Sequence, residues 1–146
     1  MKFQTQLLPG TLLKRYKRFL ADILLENGKS ITAHCANSGS MLSVSDPGSK
    51  VWVSPAENPK RKLKYTWELI EIGGELIGIN TNHPNTLVSG AIYSGIIKEL
   101  KGYSSLKREV KYGENSRIDI LLESQNKRKC YVEVKSVTMK RQLGRE

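Results

Sequence analysis

Over the first eighty positions apolar and polar residues alternate in short runs, the period of half-buried strands rather than of helices. From Lys14 to Leu25 the residues tolerate extended backbone, and Asn27-Gly28 supplies the positive φ of a tight turn before Ser30 to Cys35 resumes the alternation, so a first hairpin is predicted there. The turn clusters Asn37-Ser38-Gly39-Ser40 and Asp46-Pro47-Gly48 precede a short strand from Lys50 to Ser54. After a polar, basic loop holding Asn58-Pro59-Lys60-Arg61-Lys62, Tyr65 to Leu69 and Leu76 to Ile79 form a second hairpin around Gly73-Gly74. Five short strands joined by hairpins and one longer basic loop predict a small closed barrel of the OB-like kind.

The pattern changes after Pro84. Leu87, Val88, Ala91, Ile92, Ile96, Ile97 and Leu100 recur at helical spacings, which predicts one amphipathic helix and a boundary near residue 83. Val110 to Tyr112, Ser116 to Glu123 and Cys130 to Thr138 then read as three strands. The expected fold class is α+β, with an OB-like five-stranded β-barrel at 1–83 and a smaller α/β domain at 84–146.

Charge narrows the choice of partner. The 146 residues carry a formal net charge of +10, and both halves share it, with 11 basic and 7 acidic side chains up to residue 83 and 13 and 7 beyond it. Such a chain concentrates polyanions near its surface, nucleic acids first and anionic membranes second, and composition does not separate the two. The opening run MKFQTQLLPG has no long apolar stretch, so neither a signal peptide nor a membrane span is predicted, and a cytoplasmic location follows. Cys35 and Cys130, the two cysteines, suit reduced thiols and give no disulfide framework.

Two constellations could carry chemistry. In Arg117-Ile118-Asp119-Ile120-Leu121-Leu122 and Tyr131-Val132-Glu133-Val134-Lys135, strand alternation predicts that Ile118, Ile120, Leu122, Val132 and Val134 face a core, leaving Asp119, Glu133 and Lys135 together on the other face. Adjacent carboxylates repel, and Mg²⁺ or Mn²⁺ between Asp119 and Glu133 would relieve them while Lys135 steadied an attacked phosphate. The bland alternative is a solvated hairpin face. The second constellation is basic: Lys14, Arg15, Lys17 and Arg18 interleaved with Tyr16 and Phe19, and Lys60, Arg61, Lys62 and Lys64 followed by Tyr65 and Trp67, cations for phosphates and rings for bases. Phe19, Trp52 and Trp67 serve equally well as barrel core. His34 and Cys35 lack partners at metal-ligand spacing, and neighbours on one strand point apart, so neither a zinc site nor a Cys-His dyad is expected. Asn37 to Ser40 reads as a turn in preference to a phosphate nest.

The blocks RYKRFLAD (Arg15 to Asp22), HCANSGSM (His34 to Met41), NPKRKLKYTWEL (Asn58 to Leu69), GYSSLKREVKYG (Gly102 to Gly113), SRIDILLE (Ser116 to Glu123) and YVEVKSVT (Tyr131 to Thr138) together resemble the sugar fermentation stimulation protein family. That resemblance implies an N-terminal OB-like domain, a C-terminal domain similar to PD-(D/E)XK nucleases, non-specific DNA binding and a regulatory role in maltose use. It places the nuclease-pattern acid at Asp119, the ExK at Glu133 and Lys135, and an upstream helical acid at Glu99 or else Glu109. It also implies a continuation beyond the ExK strand. The run from Met139 to Glu146 has no apolar period, so a truncated product with an incomplete nuclease-like domain is expected. The functional expectation is a non-specific nucleic-acid-binding protein, DNA before RNA. The alternatives are a Mg²⁺-dependent nuclease and a basic assembly protein of a ribonucleoprotein, and oligomeric state stays open.

Overall fold

The computed structural model describes residues 2–138 and divides the chain into two compact units, Lys2–Thr81 and Asn82–Ser136. The first holds strands β1 (Leu8–Tyr16), β2 (Leu20–Leu25), β3 (Ser30–Cys35), β4 (Lys50–Pro55), β5 (Tyr65–Ile72) and β6 (Glu75–Gly78). They run in the order β3-β2-β1-β4-β5-β6, and a further parallel pairing of β3 with β5 closes the first five into a barrel. This is the OB-like barrel expected, with two differences in how the chain makes it. The stretch from Lys14 to Leu25 is not one strand, because Lys17 to Phe19 form a turn that pairs β1 with β2. The fifth strand of the expected set is β6, which only extends β5 and lies outside the closure.

The alternation seen in the sequence sets the inside of the barrel. Ala21, Ile23 and Leu25 of β2, Ile31, Ala33 and Cys35 of β3, and Val51 and Val53 of β4 are buried, around a wholly buried Trp67. Fully burying a large apolar side chain is worth roughly 1.5–3 kcal/mol, so this cluster carries most of the unit's stability. Trp67 is therefore core, whereas Phe19 is half exposed at the first turn and Trp52 lies beneath the Lys50 ammonium, 5.3 Å from its ring centre. The β1–β2 approach is so close at Gly10 that a Cβ there would meet the Leu24 carbonyl oxygen at 2.7 Å, which reserves the position for glycine.

The second unit has helix α1 (Pro84–Tyr93), a 3-10 turn at Lys98–Leu100, and strands β7 (Ser105–Tyr112), β8 (Ser116–Ser124) and β9 (Lys127–Val132) in one antiparallel sheet ordered β7-β8-β9. The helix stops well short of Leu100. Gly95 takes a φ of 69°, its N–H bonds the Ile92 carbonyl at 3.0 Å and the Ile96 N–H bonds Ala91 at 2.9 Å, a pair of bonds that ends a helix at such a glycine. Ile92, Ile120 and Leu122 form the buried centre, with Val132 and Val134 packed against it as the alternation predicted, while Ile118, expected on the same face, is half-buried and outside this cluster. The last strand ends at Val132 and not at Thr138, so Glu133 and Lys135 lie beyond it, while the expected tail from Met139 to Glu146 lies outside the described residues.

Left-handed non-glycine residues occur in the barrel unit at Met41 and, side by side, at the first turn. Lys17 and Arg18 sit at φ 48° and 61°, a conformation that costs an L-residue ~1–2 kcal/mol and that Asn or Gly adopts more easily. Replacing them together (Lys17→Asn, Arg18→Gly) should raise stability by ~1–2 kcal/mol, read as an increase of several degrees in the calorimetric Tm. An unchanged or lower Tm would show that the turn is not strained.

Candidate acidic site and nucleic-acid interface

The hydrogen-bond registers of the barrel bring its two basic loops to one rim. Leu20, the residue that follows the Lys17–Phe19 turn, pairs with His34, and His34 pairs with Thr66, which lies next to the loop between β4 and β5. With adjacent strands ~4.8 Å apart, the two loop bases are separated by only ~10 Å. Arg61 ties the second loop to this path by donating from Nη1 to Thr66 Oγ1 at 3.2 Å. Asn58 shapes it, its Oδ1 accepting from the Lys60 N–H at 2.9 Å, and the Lys64 ammonium bonds the Pro59 carbonyl. Lys17, Arg18, Lys60, Lys62 and Lys64 are all exposed there.

The remaining residues of the first cluster have structural work. The Arg15 guanidinium donates to the carbonyls of Asn37 (2.8 Å), Gly39 (2.9 Å), Arg18 (2.9 Å) and Ser40 (3.3 Å), so it clamps two turns together. The Asn37–Ser40 segment, bent at Gly39 with the Gly39 N–H on Asn37 Oδ1 at 2.9 Å, thus presents carbonyls to a cation. Lys14 pairs with Asp22 at 3.5 Å and covers the Tyr16 ring, whose hydroxyl donates to the same carboxylate at 3.1 Å. Asp22 is held below the ordinary carboxylate range, first by the Thr32 hydroxyl and then by Tyr16 and Lys14. His34 lies on β3 and Cys35 is buried, its Sγ 3.6 Å from Met41 Sδ, with burial pushing the thiol pKa up.

The second unit assembles an acidic site around Asp119. Its Oδ2 accepts the Val134 N–H at 2.7 Å and its Oδ1 the Asn85 amide at 2.9 Å, and the same amide reaches Glu109 Oε1 at 2.8 Å. Lys135 holds Glu133 in an ion pair. Asp119 is accordingly kept below the usual range, chiefly by the Val134 N–H against the opposing effect of burial, then by Asn85, Lys135 and Glu133. Glu109 lies level with Asp119, between the Arg108–Ile120 and Val110–Ile118 pairs of the β7–β8 register, and takes a φ of 52°, unusual inside a strand. Glu99 is exposed on the Lys98–Leu100 turn, whereas Glu109 shares the Asn85 amide with Asp119.

Sequence reasoning missed Asn85 and the Val134 N–H. Asn85 directly after Pro84 at the start of a helix was the available signal. The repulsion expected between carboxylates is offset by these protein donors and by Lys135. No group of three His, Cys, Asp or Glu side chains among the described residues is spaced to hold a metal ion.

Comparison with known proteins adds the family. Residues 13–79 match the SfsA N-terminal OB domain and residues 82–145 the sugar fermentation stimulation protein RE domain. The chain belongs to the sugar fermentation stimulation protein family. It is 55% identical over 141 residues to the homolog of Paramagnetospirillum magneticum, covering 97% of this chain and 60% of that one. To the Shewanella frigidimarina homolog it is 59% identical, covering 95% and 60%. The chain thus spans about 60% of the length of the curated family members it matches. A solved Pyrococcus furiosus SfsA, in complex with Ca²⁺, superposes with a TM-score of 0.77 at 26% identity, covering 91% of this chain and 55% of the other.

Acid should weaken the second unit in a defined window. Glu123 lies between Lys107 and Lys129, each at 2.8 Å, and they bring its pKa from 4.5 down to about 2. A carboxyl lowered in the folded state stabilises fully above its unfolded value, and that contribution disappears as pH falls through the folded one. Urea unfolding at stepped pH should therefore show stability declining from pH 4.5 toward about 2, with a shallower decline in Glu123→Gln. Equal slopes in both proteins would contradict this assignment.

Proposed function

We propose that the chain is a non-specific nucleic-acid-binding protein, DNA before RNA, that grips phosphates with the barrel rim formed by Lys17, Arg18, Lys60, Lys62 and Lys64. The barrel domain at 1–83 is the main binding element in this reading, with 84–146 as a nuclease-like partner domain. The observation that supports it is the registration of two basic loops at one barrel end, since the corresponding loops of OB-like barrels are where oligonucleotides bind. The strained Lys17–Arg18 turn fits the same reading, because strain persists where a conformation serves a ligand. Lys14, Arg15 and Tyr16 contribute by shaping the rim, and Arg61 by anchoring its second loop. A regulatory role in sugar metabolism and a cytoplasmic location are consistent with family membership and belong to the proposal.

If phosphates are the target, affinity for unrelated DNA sequences should be similar, with a log–log salt slope of about −0.9 per neutralised phosphate on duplex. The variant Lys60→Ala/Arg61→Ala/Lys62→Ala should weaken all sequences alike and flatten that slope by about two units, as measured by fluorescence anisotropy across a salt series. Salt-independent affinity, or a loss confined to one sequence, would defeat the proposal.

Metal-dependent nuclease activity is the second reading, supported by the convergence of Asp119, Glu109, Glu133 and Lys135 and by the Ca²⁺ bound to the Pyrococcus relative. A Mg²⁺ or Mn²⁺ ion at Asp119 and Glu133 would have to displace Lys135 and part of the Asn85 contact. If one does, Mn²⁺ should raise the Tm of the native chain and not that of Asp119→Asn, because a ligand bound only by the folded state stabilises it by mass action. We expect DNA binding without efficient cleavage, and nicking of supercoiled DNA that vanishes in Glu133→Gln would reverse the order of the two readings.

A further inference from the structure

Strand register alone would keep Tyr112 and Tyr131 apart. Tyr112 pairs with Ser116 and Tyr131 with Leu121, positions about 16 Å apart along β8 and on opposite sides of it. Their rings nevertheless meet, with centroids 5.3 Å apart and planes inclined at 59°. The β7–β8 hairpin is therefore twisted rather than flat, and the left-handed Glu109 lies part-way along β7. Leu121, outside the core cluster under the helix, is buried to 7% exposure, whereas the two rings remain 56% and 50% exposed. Large rings left this open in contact with each other offer faces that the fold itself does not use.

Charge selects what would cover them. Lys111 and Arg117 are paired across the hairpin one step from Tyr112, so they project from the opposite strand face; both are exposed, and neither has an ion-pair partner among the described residues. Between Ser105 and Val132 the sheet carries seven basic and four acidic side chains. Exposed aromatic rings beside a hairpin tip with unpaired cations match a nucleotide, the rings taking the base and the long cationic side chains reaching round the hairpin edge to an adjoining phosphate. A base within a duplex hides both faces in the stack, so the match is to an unpaired one.

We propose that Tyr112 and Tyr131 form a stacking platform for an unpaired base, with Lys111 and Arg117 on its flanking phosphates, so that the second unit holds single-stranded nucleic acid. This deepens the nucleic-acid-binding reading and rests on it. The test uses the full chain, an oligothymidylate of about twelve nucleotides and a duplex of equal length, sizes suited to such sites. Tyr112→Leu/Tyr131→Leu should weaken single-strand binding about tenfold or more while duplex affinity stays within about twofold, and Tyr112→Phe/Tyr131→Phe should keep both. The Lys60→Ala/Arg61→Ala/Lys62→Ala variant should weaken both ligands. In the unaltered chain, a bromodeoxyuridine-substituted strand should cross-link to peptides containing Tyr112 or Tyr131, which decides the matter should the Leu variant prove unstable. Unchanged single-strand affinity in a folded Leu variant, or cross-links confined to the barrel, would overturn the platform and leave the rim intact. Failure of the native chain to bind either ligand would remove both.

Discussion

Two residue pairs close the barrel: His34 with Thr66 and Cys35 with Trp67, the parallel junction of β3 and β5. Without them β3 would be an open edge, and Trp67 would lose the ring of side chains that excludes water from it. The rest of the first unit depends on this junction in a geometric sense. It is also the bridge by which the Lys17–Phe19 turn and the Lys60–Lys64 loop come to share one rim, since each is anchored to a strand on one side of it.

Closure places demands on the polar groups nearby. The chain leaving β3 must turn at once, and its carbonyls at Asn37, Gly39 and Ser40 converge on the Arg15 guanidinium, while the Asn37 amide donates to Ile79 at 3.0 Å. Buried backbone groups left without partners are costly, and a planar cation with several donors is suited to collect carbonyls from separate turns. Arg15 is therefore the cation of the RYKR run that the fold occupies, which leaves Lys17 and Arg18 to solvent and to anions. A single stretch of sequence is thus divided between architecture and surface by which side chains point beneath the turn.

In the second unit a comparable division governs the carboxylates. Asp119 is fixed by a backbone donor and an amide, Glu133 by a lysine, and Glu109 by the same amide that serves Asp119. Acids placed this closely need either a cation or protein donors to offset their repulsion, and here donors from α1 and from the segment after β9 meet the need. Asp119 consequently joins three separated parts of the chain, which makes it as much a structural pin as a chemical group.

How much of this was legible in the sequence follows from the range of each interaction. Alternation located the strands that became β2, β3 and β4, because a strand's side-chain period is local, and Asn27-Gly28 and Gly73-Gly74 marked their turns because positive φ is a local requirement. The Lys17–Phe19 turn was not legible, since two basic residues in a left-handed conformation contradict local preference and are held there by the pairing on either side. Helix α1 was overextended because periodicity carries on through Ser94-Gly95, where hydrogen bonding to Ala91 and Ile92 ends it. Asp119, Glu133 and Lys135 stood out as residue types, yet their partners did not: Asn85 is 34 positions from Asp119, and only the strand register brings Glu109 level with it. Sequence by itself determined the strand content, the core-facing positions and the excess of positive charge, all consequences of nearest-neighbour chemistry. Tertiary structure alone decided which cations remain free and which acids meet, because those outcomes depend on contacts between residues that only folding brings together.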